Sequence, residues 1–289
     1  MPENSRVIRR KIASVTNTKK ITRTMEMVAT SKLVRAQAKV VGSGPYMETL
    51  RGIMSRLALM DVDTSAYPLF EEREAKKVLL MIMTSDRGLC GGYNSNLFRM
   101  GREVYQRELD AGREVKLWVV GRKGRDALKF RGIPFDRAII ELTDRPGFAD
   151  ARTMAQELLE PFLSGEVDRV LLIWPQFISY GRQPPSELQL APIPKPEVEE
   201  GSEERDFLFE PDPETILGQL LPLYIENMVY RVLTESVAAE LIARRIAMKL
   251  ATDNADKMVK SLTRQFNKAR QAQITQELSE ILGGSEALK

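Results

Sequence analysis

The sequence predicts a helix-rich α/β protein. Both termini form one long antiparallel two-helix coiled coil, and a central Rossmann-like α/β domain with a mostly parallel sheet lies between them in the chain. Neither Gly nor Pro occurs within residues 3–41 or within residues 223–282, and breaker-free stretches of that length are typical of long helices. The residues between these stretches alternate apolar strand-like runs with helical segments, which indicates a parallel sheet.

Residues 1–60 are predicted to form the N-terminal shaft helix. Its apolar stripe consists of Ile8, Ile12, Val15, Ile21, Met25 and Val28. Gly42, Gly44 and Pro45 predict an end or a kink, after which residues 46–60 look helical again. Residues 1–41 carry ten basic and two acidic side chains, a charge of +8. Such a basic arm suits nucleic acid, an acidic lipid surface or an acidic protein.

Residues 75–195 are predicted to form the central domain. Four strands are expected at residues 78–84, 115–120, 138–142 and 170–174, with helices at 95–110, 122–130 and 149–163. Residues 184–215 contain seven prolines, which favours an extended connector rather than regular structure. Within it, residues 196–215 form an acidic connector or foot, and residues 197–214 carry a charge of −8.

Residues 216–289 are predicted to form the C-terminal shaft helix. Steps of four and three residues connect eight positions, of which all but Arg244 are apolar: Val237, Leu241, Arg244, Met248, Ala251, Ala255, Met258 and Leu262. A seam at that spacing predicts a left-handed supercoil with a partner helix. Sixty helical residues would extend about 90 Å, so the helix is expected to project from any domain of this size.

The composition excludes several kinds of site. The chain has no histidine and one cysteine, Cys90. Histidine-dependent nucleophile sites, histidine-ligated metals, internal disulfides and cysteine-cluster zinc sites are therefore excluded. Asp, Glu, Lys, Ser and Tyr remain available for catalysis, so composition alone does not exclude an enzyme; the expectation of no catalytic residue, no cofactor and no metal comes only from the family resemblance given below. No run approaches the roughly 18 apolar residues of a membrane span, and the first residues lack the apolar region of a signal peptide.

A glycine-rich turn, Ser85–Gly92, follows the first predicted strand. Backbone amides at such a turn favour anions, but the spacing matches neither of the common phosphate-binding loops. We therefore interpret the glycines as allowing a tight strand-to-helix turn, and Asp86 and Arg87 as turn or capping residues. Met25 and Met27 lie about 200° apart on a helix, so one of them faces away from the partner helix.

Five segments together resemble the F-type ATP synthase gamma subunit. The first is Ile12-Ala-Ser-Val-Thr-Asn-Thr-Lys-Lys-Ile-Thr-Arg-Thr-Met-Glu-Met-Val-Ala-Thr-Ser-Lys32, and the second is Ser85-Asp-Arg-Gly-Leu-Cys-Gly-Gly92. The others are Phe207-Leu-Phe-Glu-Pro-Asp-Pro213, Ala247-Met-Lys-Leu-Ala-Thr-Asp-Asn254 and the segment from Asn267 to Ile281. They cover the chain nearly end to end, in the family's order. Thr24 departs from the family's usual small Ala or Ser, and the tail after Gly283 is more polar than usual.

The resemblance implies a non-catalytic rotor shaft of a bacterial-type ATP synthase. The implied partners are three alpha and three beta subunits around one gamma, the epsilon subunit and the c-subunit ring. It also implies a peripheral place on the cytoplasmic face of the bacterial inner membrane, reached only through the complex, and no nucleic-acid partner. The implied beta-subunit catch contacts are Lys20, Arg23, Met25, Lys32, Arg244, Lys249, Arg270, Gln271 and Thr275. The implied c-ring contacts are Phe207, Phe209 and Glu210.

Two other functions compete with this expectation. A coiled-coil nucleic-acid-binding protein would explain the basic arm, although the C-terminal helix mixes both charges and no aromatic residues accompany the basic run. A nucleotide-dependent enzyme would use the central domain, but that alternative rests on fold analogy alone.

Overall fold

The computed structural model describes residues 5–59, 67–71, 73–142, 145–194 and 212–286. The helices are α1 (Ser5–Leu59), α2 (Tyr93–Asp110), α3 (Arg122–Phe130), α4 (Phe148–Leu163) and α5 (Pro213–Glu286), with a short 3-10 turn at Pro68–Phe70. The strands are β1 (Lys77–Met83), β2 (Glu114–Val120), β3 (Arg137–Ile139), β4 (Arg169–Pro175) and β5 (Pro185–Ala191). Two compact units result, Ser31–Ala243 and Met1–Thr30 with Arg244–Lys289, and each is described by itself.

The unit Ser31–Ala243 is built on a five-stranded sheet in the order β3-β2-β1-β4-β5. Strands β1 to β4 are parallel, and Leu80 of β1 lies opposite Leu117 of β2 and Leu171 of β4. Side chains alternate between the two faces of β1, and both faces are covered because every residue from Val78 to Met83 is buried. The predicted α/β domain with its mostly parallel sheet is confirmed.

Helices cover the two faces unequally. Helices α2 and α3 pack on the face that carries Val78, Leu80 and Ile82. The other face receives α4 and parts of the two long helices, with Met54 of α1 and Val229 of α5 in its core. Segments of both long helices therefore belong to the core of this unit, together with the sheet and α4.

Strand β5 corrects the predicted connector over residues 184–215, because residues 185–191 pair antiparallel with β4. Proline is tolerated at the first residue of a strand and at a sheet edge, where no ladder hydrogen bond is lost. Pro185 meets both conditions, so the proline signal was compatible with a strand. Residues 195–211 lie outside the described part of the chain.

Helix α1 continues through Gly42, Gly44 and Pro45, so the predicted end there is wrong, while the alternative of a kink stays a prediction. A proline inside a helix costs about 3 kcal/mol. The turns that follow bury Met47, Leu50, Met54 and Leu57. Since burying one such side chain contributes about 1.5–3 kcal/mol, their packing outweighs the breaker.

The second unit is an antiparallel pair of helices, residues 5–30 of α1 and 244–286 of α5, here called the helix pair. Its direction follows from two cross-helix contacts: Lys19 binds Asp256, and Thr22 contacts Thr252. The least exposed positions repeat at four and three residues. In α1 they are Ile8, Ile12, Val15, Lys19, Thr22, Glu26 and Ala29; in α5 they are Arg245, Met248, Thr252, Ala255, Val259, Leu262, Phe266 and Ala269.

This seam corrects part of the predicted one. Leu241, Met248, Ala255 and Leu262 are placed as expected, but two intermediate positions shift by one residue, from 251 and 258 to 252 and 259; Arg244 and Arg245 are both half-buried. Met258 is 53% exposed, and Ile21 and Val28, expected to face the partner helix, are 61% and 51% exposed. Apolar residues occupy both sides of each helix, so hydrophobicity alone does not identify the buried side.

Candidate functional site

The register of the helix pair places the predicted contact residues. Residue numbers of facing positions add to about 274, as Thr22 and Thr252 show. Met25 therefore lies level with Lys249 and Leu250, whereas Arg244 lies level with Thr30. Met25 and Arg244 are therefore separated by about five residues, or roughly 8 Å along the axis.

Most of the predicted contact residues point outward. Lys20, Arg23, Lys249, Arg270, Gln271 and Thr275 are exposed, while Met25 and Arg244 are half-buried. Met27 is 57% exposed, so it is the methionine that faces away from the partner helix. From Arg270 to Ser279 every side chain is exposed, and the Thr275 hydroxyl only donates within its own helix, to the Gln271 carbonyl.

Large apolar side chains accompany these polar residues on the outside of the helix pair. Ile21, Met27 and Val28 are exposed on α1, and Ile246 and Leu250 are exposed on α5. Val28 and Ile246 are level in the register. Several large apolar side chains exposed within a few turns are typical of interaction sites, which makes this outer surface the main candidate functional site.

The contact between the two helices is partly polar: Thr22 and Thr252 are buried in it, whereas the side chains of Lys19 and Asp256 are 32% and 35% exposed at its edge. The Thr22 and Thr252 hydroxyls lie 2.8 Å apart, and Lys19 forms an ion pair with Asp256, which also binds Lys260 at 2.9 Å. Hydrogen bonds from Lys19 and Lys260 lower the pKa of Asp256 to about 2. Polar groups in a coiled-coil seam select one register, because any slip leaves them unpaired.

Lys32 belongs to the other unit and lines a cleft of about 110 Å³ there. The cleft has a basic rim and a mainly apolar floor, formed by Lys32, Arg35, Ala36, Lys39, Arg145, Pro146, Thr234 and Val237. Lys39 donates a hydrogen bond of 2.7 Å to the Pro146 carbonyl, which ties α1 to the loop before α4. Among the predicted contacts, Lys32 is therefore set apart from those on the helix pair.

The glycine-rich turn lies beside the start of α3. The first amides of α3 are capped from this turn: Asp86 accepts from Arg122 N at 2.9 Å, and Thr84 Oγ1 accepts from Gly124 N at 2.9 Å. Gly121 has a φ of +94°, and a Cβ there would lie 2.5 Å from the Thr84 carbonyl oxygen. These amides are engaged by the protein itself and are not offered to a phosphate.

Helix α5 also covers the place where doubly wound sheets bind nucleotides. That place is the carboxyl end of the strands where the crossovers change face, here between β1 and β4. Tyr93, at the start of α2, donates to the Ser236 carbonyl at 3.3 Å, and Ala239 packs in the core beneath α2. The chain's own helix therefore fills this crevice.

Sequence reasoning missed a buried carboxylate on α5. Glu235 is 3% exposed. Its Oε2 accepts from Trp174 Nε1 at 2.8 Å and from Phe177 N at 3.1 Å, and its Oε1 accepts from Arg231 Nε at 2.7 Å. Only the Arg231 partner, four residues away on the same helix, is suggested by sequence spacing.

The described residues contain no group of three Cys, Asp or Glu side chains placed to hold a metal ion. Their helices include none long and apolar enough to cross a membrane. The predicted c-ring contacts Phe207, Phe209 and Glu210 lie outside the described residues.

Known proteins similar to this chain match it along nearly its whole length. A family model described as ATP synthase matches residues 4–288. The ATP synthase gamma chain of Desulfitobacterium hafniense is 44% identical over 286 residues, covering 99% of each chain. That of Heliobacterium modesticaldum is 42% identical over 291 residues, covering 98% of each chain.

Solved structures share the fold. A chain of the Euglena gracilis mitochondrial ATP synthase matches 98% of this chain and 94% of its own length, with a TM-score of 0.67 and 20% identity. A chain from the central stalk and c-ring of the Tetrahymena thermophila mitochondrial ATP synthase matches 80% of this chain and 99% of its own length, with a TM-score of 0.61 and 24% identity.

Proposed function

This chain belongs to the ATP synthase gamma-chain family, and on that premise we propose that it is the central rotor shaft of an F-type ATP synthase. Ion flow through a membrane rotor ring turns the shaft. Its asymmetric surface then presents successive faces to three catalytic beta subunits, and each beta site passes through binding, synthesis and release of ATP. The reaction is reversible, so ATP hydrolysis turns the shaft the other way.

The observation that carries this proposal is a register-locked helix pair with large apolar side chains on its outside. A pair of helices held in one register resists bending and slipping, which a torque-bearing shaft requires. Ile21, Val28 and Leu250 are exposed although apolar, which supports a surrounding protein sleeve. Three alpha and three beta subunits around one copy of this chain would supply that sleeve.

Charge supports one class of contact within the sleeve. Lys20, Arg23 and Lys249 are exposed near Met25, and an acidic loop of beta is complementary to them. We assign Arg244 and Lys32 to the same acidic partner. Arg270, Gln271 and Thr275 are assigned to an upper contact. Phe207, Phe209 and Glu210 are assigned to the c-ring, and the epsilon subunit completes the rotor.

In this role the chain contributes no catalytic group and binds no cofactor. The crevice filled by α5 supports that assignment, since the usual nucleotide position between β1 and β4 is then closed. We place the chain peripherally on the cytoplasmic face of the bacterial inner membrane, attached only through the complex.

Reconstitution tests the proposal directly. The purified chain is mixed with cognate alpha and beta subunits, the mixture is gel-filtered, and ATPase activity is assayed. We expect a stable complex with one copy of this chain per three alpha–beta pairs and more ATPase activity than alpha and beta alone. Absence of both co-elution and stimulation, with a chain shown to be folded by circular dichroism, would refute the shaft role.

Nucleic-acid binding remains the alternative function, because exposed cations such as Arg9, Arg10 and Lys11 line the first turns of α1. That function predicts DNA affinity that falls steeply as salt rises. Filter binding at two salt concentrations distinguishes the two functions. We expect no retention of DNA at either concentration once alpha and beta are bound, because the helix pair is then enclosed.

A further inference from the structure

The buried carboxylate of Glu235 joins three parts of the unit Ser31–Ala243. Trp174 is near the end of β4, Phe177 begins the loop after it, and Arg231 precedes Glu235 by one turn of α5. All three donate to the carboxylate. We call these four residues the Glu235 clasp. Its hydrogen bonds connect α5 directly to the carboxyl end of the sheet.

The clasp reaches α1 through Phe177. The Phe177 ring packs against a small apolar cluster formed by Leu33 of α1 and by Leu241 and Ile242 of α5, all three of which are buried. Because Glu235 holds the backbone amide of Phe177, it also fixes where this ring meets both long helices. Glu235 and Phe177 together thus connect the end of the sheet to both α5 and α1.

A buried carboxylate at this position restrains the rotation of α5, which an apolar side chain would not do. Hydrophobic contacts are non-directional, so a helix held by them alone can rotate slightly about its axis or slide. Two of the three hydrogen bonds to Glu235, those from Trp174 and Phe177, come from outside α5, so rotation of the helix breaks both and leaves a buried charge underpaired. The arrangement therefore sets the angle of α5 about its own axis relative to β4.

We propose that Glu235 is the positioning residue that fixes α5 rotationally on the sheet, so that a torque applied to the domain turns the helix without slip. This inference rests on the shaft role proposed above. It adds a specific transmission element inside the chain, at a residue that is not itself assigned to contact beta or the c-ring.

The test compares three variants in complexes assembled with all partner subunits and reconstituted into vesicles. Glu235→Gln keeps the size of the side chain but removes the charge and one acceptor oxygen. Trp174→Phe removes one donor and leaves the carboxylate in place. Glu226→Gln is the matched control, since Glu226 lies on the same helix and its ion pair with Arg152 of α4 is partly exposed.

ATP hydrolysis and ATP-driven proton pumping are measured on the same vesicles, well below the unfolding midpoint of each variant. We expect Glu235→Gln to retain hydrolysis while protons pumped per ATP fall about threefold or more, and Trp174→Phe to fall less. The control is expected to keep the wild-type ratio. A purely structural role for Glu235 would lower the unfolding midpoint and leave this ratio unchanged.

The outcomes separate the two proposals. Wild-type ratios in both clasp variants would overturn the role of Glu235 and leave the shaft role intact. A wild-type chain that neither assembles nor supports pumping would overturn the shaft role itself. Should Glu235→Gln fail to fold, Trp174→Phe decides: a lowered ratio supports the clasp, and a wild-type ratio overturns it.

Discussion

The hydroxyls of Thr22 and Thr252 meet at 2.8 Å inside the helix pair, 230 positions apart in the chain. Each hydroxyl also lies within hydrogen-bond distance of a carbonyl of its own helix, Thr252 of Met248 and Thr22 of Lys19. Because a hydroxyl has one proton, one threonine donates across the pair and the other donates within its own helix. The cross-helix contact fixes the register on which every assignment along the outer surface depends.

Replacing one of the two threonines should cost more than replacing both. Thr22→Val leaves the Thr252 hydroxyl without its cross-helix partner, and we expect a loss of about 1 kcal/mol in unfolding free energy. The double variant with Thr252→Val should be close to neutral, because two methyl groups then pack together. Urea unfolding monitored by helical circular dichroism measures the coupling between the two sites.

Thr24→Val is the matched control for this pair. Thr24 makes the same kind of bond within its helix, to the Lys20 carbonyl, but is exposed. Its replacement should shift the urea midpoint little. Equal losses for Thr22→Val, Thr24→Val and the double variant would remove the cross-helix contact as a source of stability.

The low pKa of Asp256 leads to a prediction of how acid affects the stability of the helix pair. Its pKa is lowered to about 2 in the folded chain by Lys19 and Lys260, whereas an unfolded aspartate titrates near about 3.9. The stabilisation is therefore complete above about pH 4 and is lost as the pH falls toward 2. Thermal unfolding midpoints across this range should fall less steeply for Asp256→Asn than for wild type.

Asp253→Asn serves as the control in the same measurement, since Asp253 is an exposed aspartate on the same helix. It should follow the wild-type curve. If Asp256→Asn follows that curve too, the ion pair with Lys19 contributes nothing to the acid response.

Substitution by alanine is expected to destabilise the protein more at Gly121 than at Gly112. Both Gly121 and Gly112 have positive φ, +94° and +75°, so alanine strains either by about 1–2 kcal/mol. At Gly121 the new Cβ would also meet the Thr84 carbonyl oxygen at 2.5 Å, whereas nothing lies within 4 Å at Gly112.

Gly121→Ala should therefore cost about 1–3 kcal/mol more than Gly112→Ala, the usual penalty of overpacking. Urea unfolding of the two variants, side by side, measures the difference. Similar midpoints would mean that β1 and the α3 turn can move apart without cost, contrary to the close approach seen here.

Arg244 tests the outer surface of the helix pair. Arg244→Glu reverses a half-buried charge and should weaken coupling in reconstituted complexes, because an acidic partner would now be repelled. Arg264→Glu is the control, being exposed on the same helix and outside the proposed contacts. ATP-driven proton pumping is the measurement, and unchanged pumping by Arg244→Glu would remove this residue from the proposed beta contacts.

Much of the fold could be read from residue patterns. The buried run Val78–Met83 identified β1, and the absence of Gly and Pro identified the C-terminal helix. Strand β5 was missed because Pro185 is a breaker in most settings and acceptable at an edge. Whether α1 ends or continues at Pro45 was left open by the sequence, because the compensating burial of Leu50 and Met54 depends on partners distant in sequence.

The residues of the candidate site were likewise predicted only in part from the sequence. Family motifs in the sequence pointed to Met25 and Lys249, and the structure places both on the helix pair, one half-buried and the other exposed. Glu235 could not have been predicted, because its partner Trp174 is 61 positions away and nothing local distinguishes a buried glutamate from a solvated one.

The sequence by itself determined the elements and the family: helix-forming stretches, apolar strand runs and family motifs are properties of neighbouring residues. Only the tertiary structure decided which side of each shaft helix is buried. Ile21 and Val28 are more apolar than Thr22 and Lys19, yet the latter pair faces the partner helix. A hydroxyl or a charge is stable inside when a matching group meets it, and that match exists only after the two ends of the chain come together.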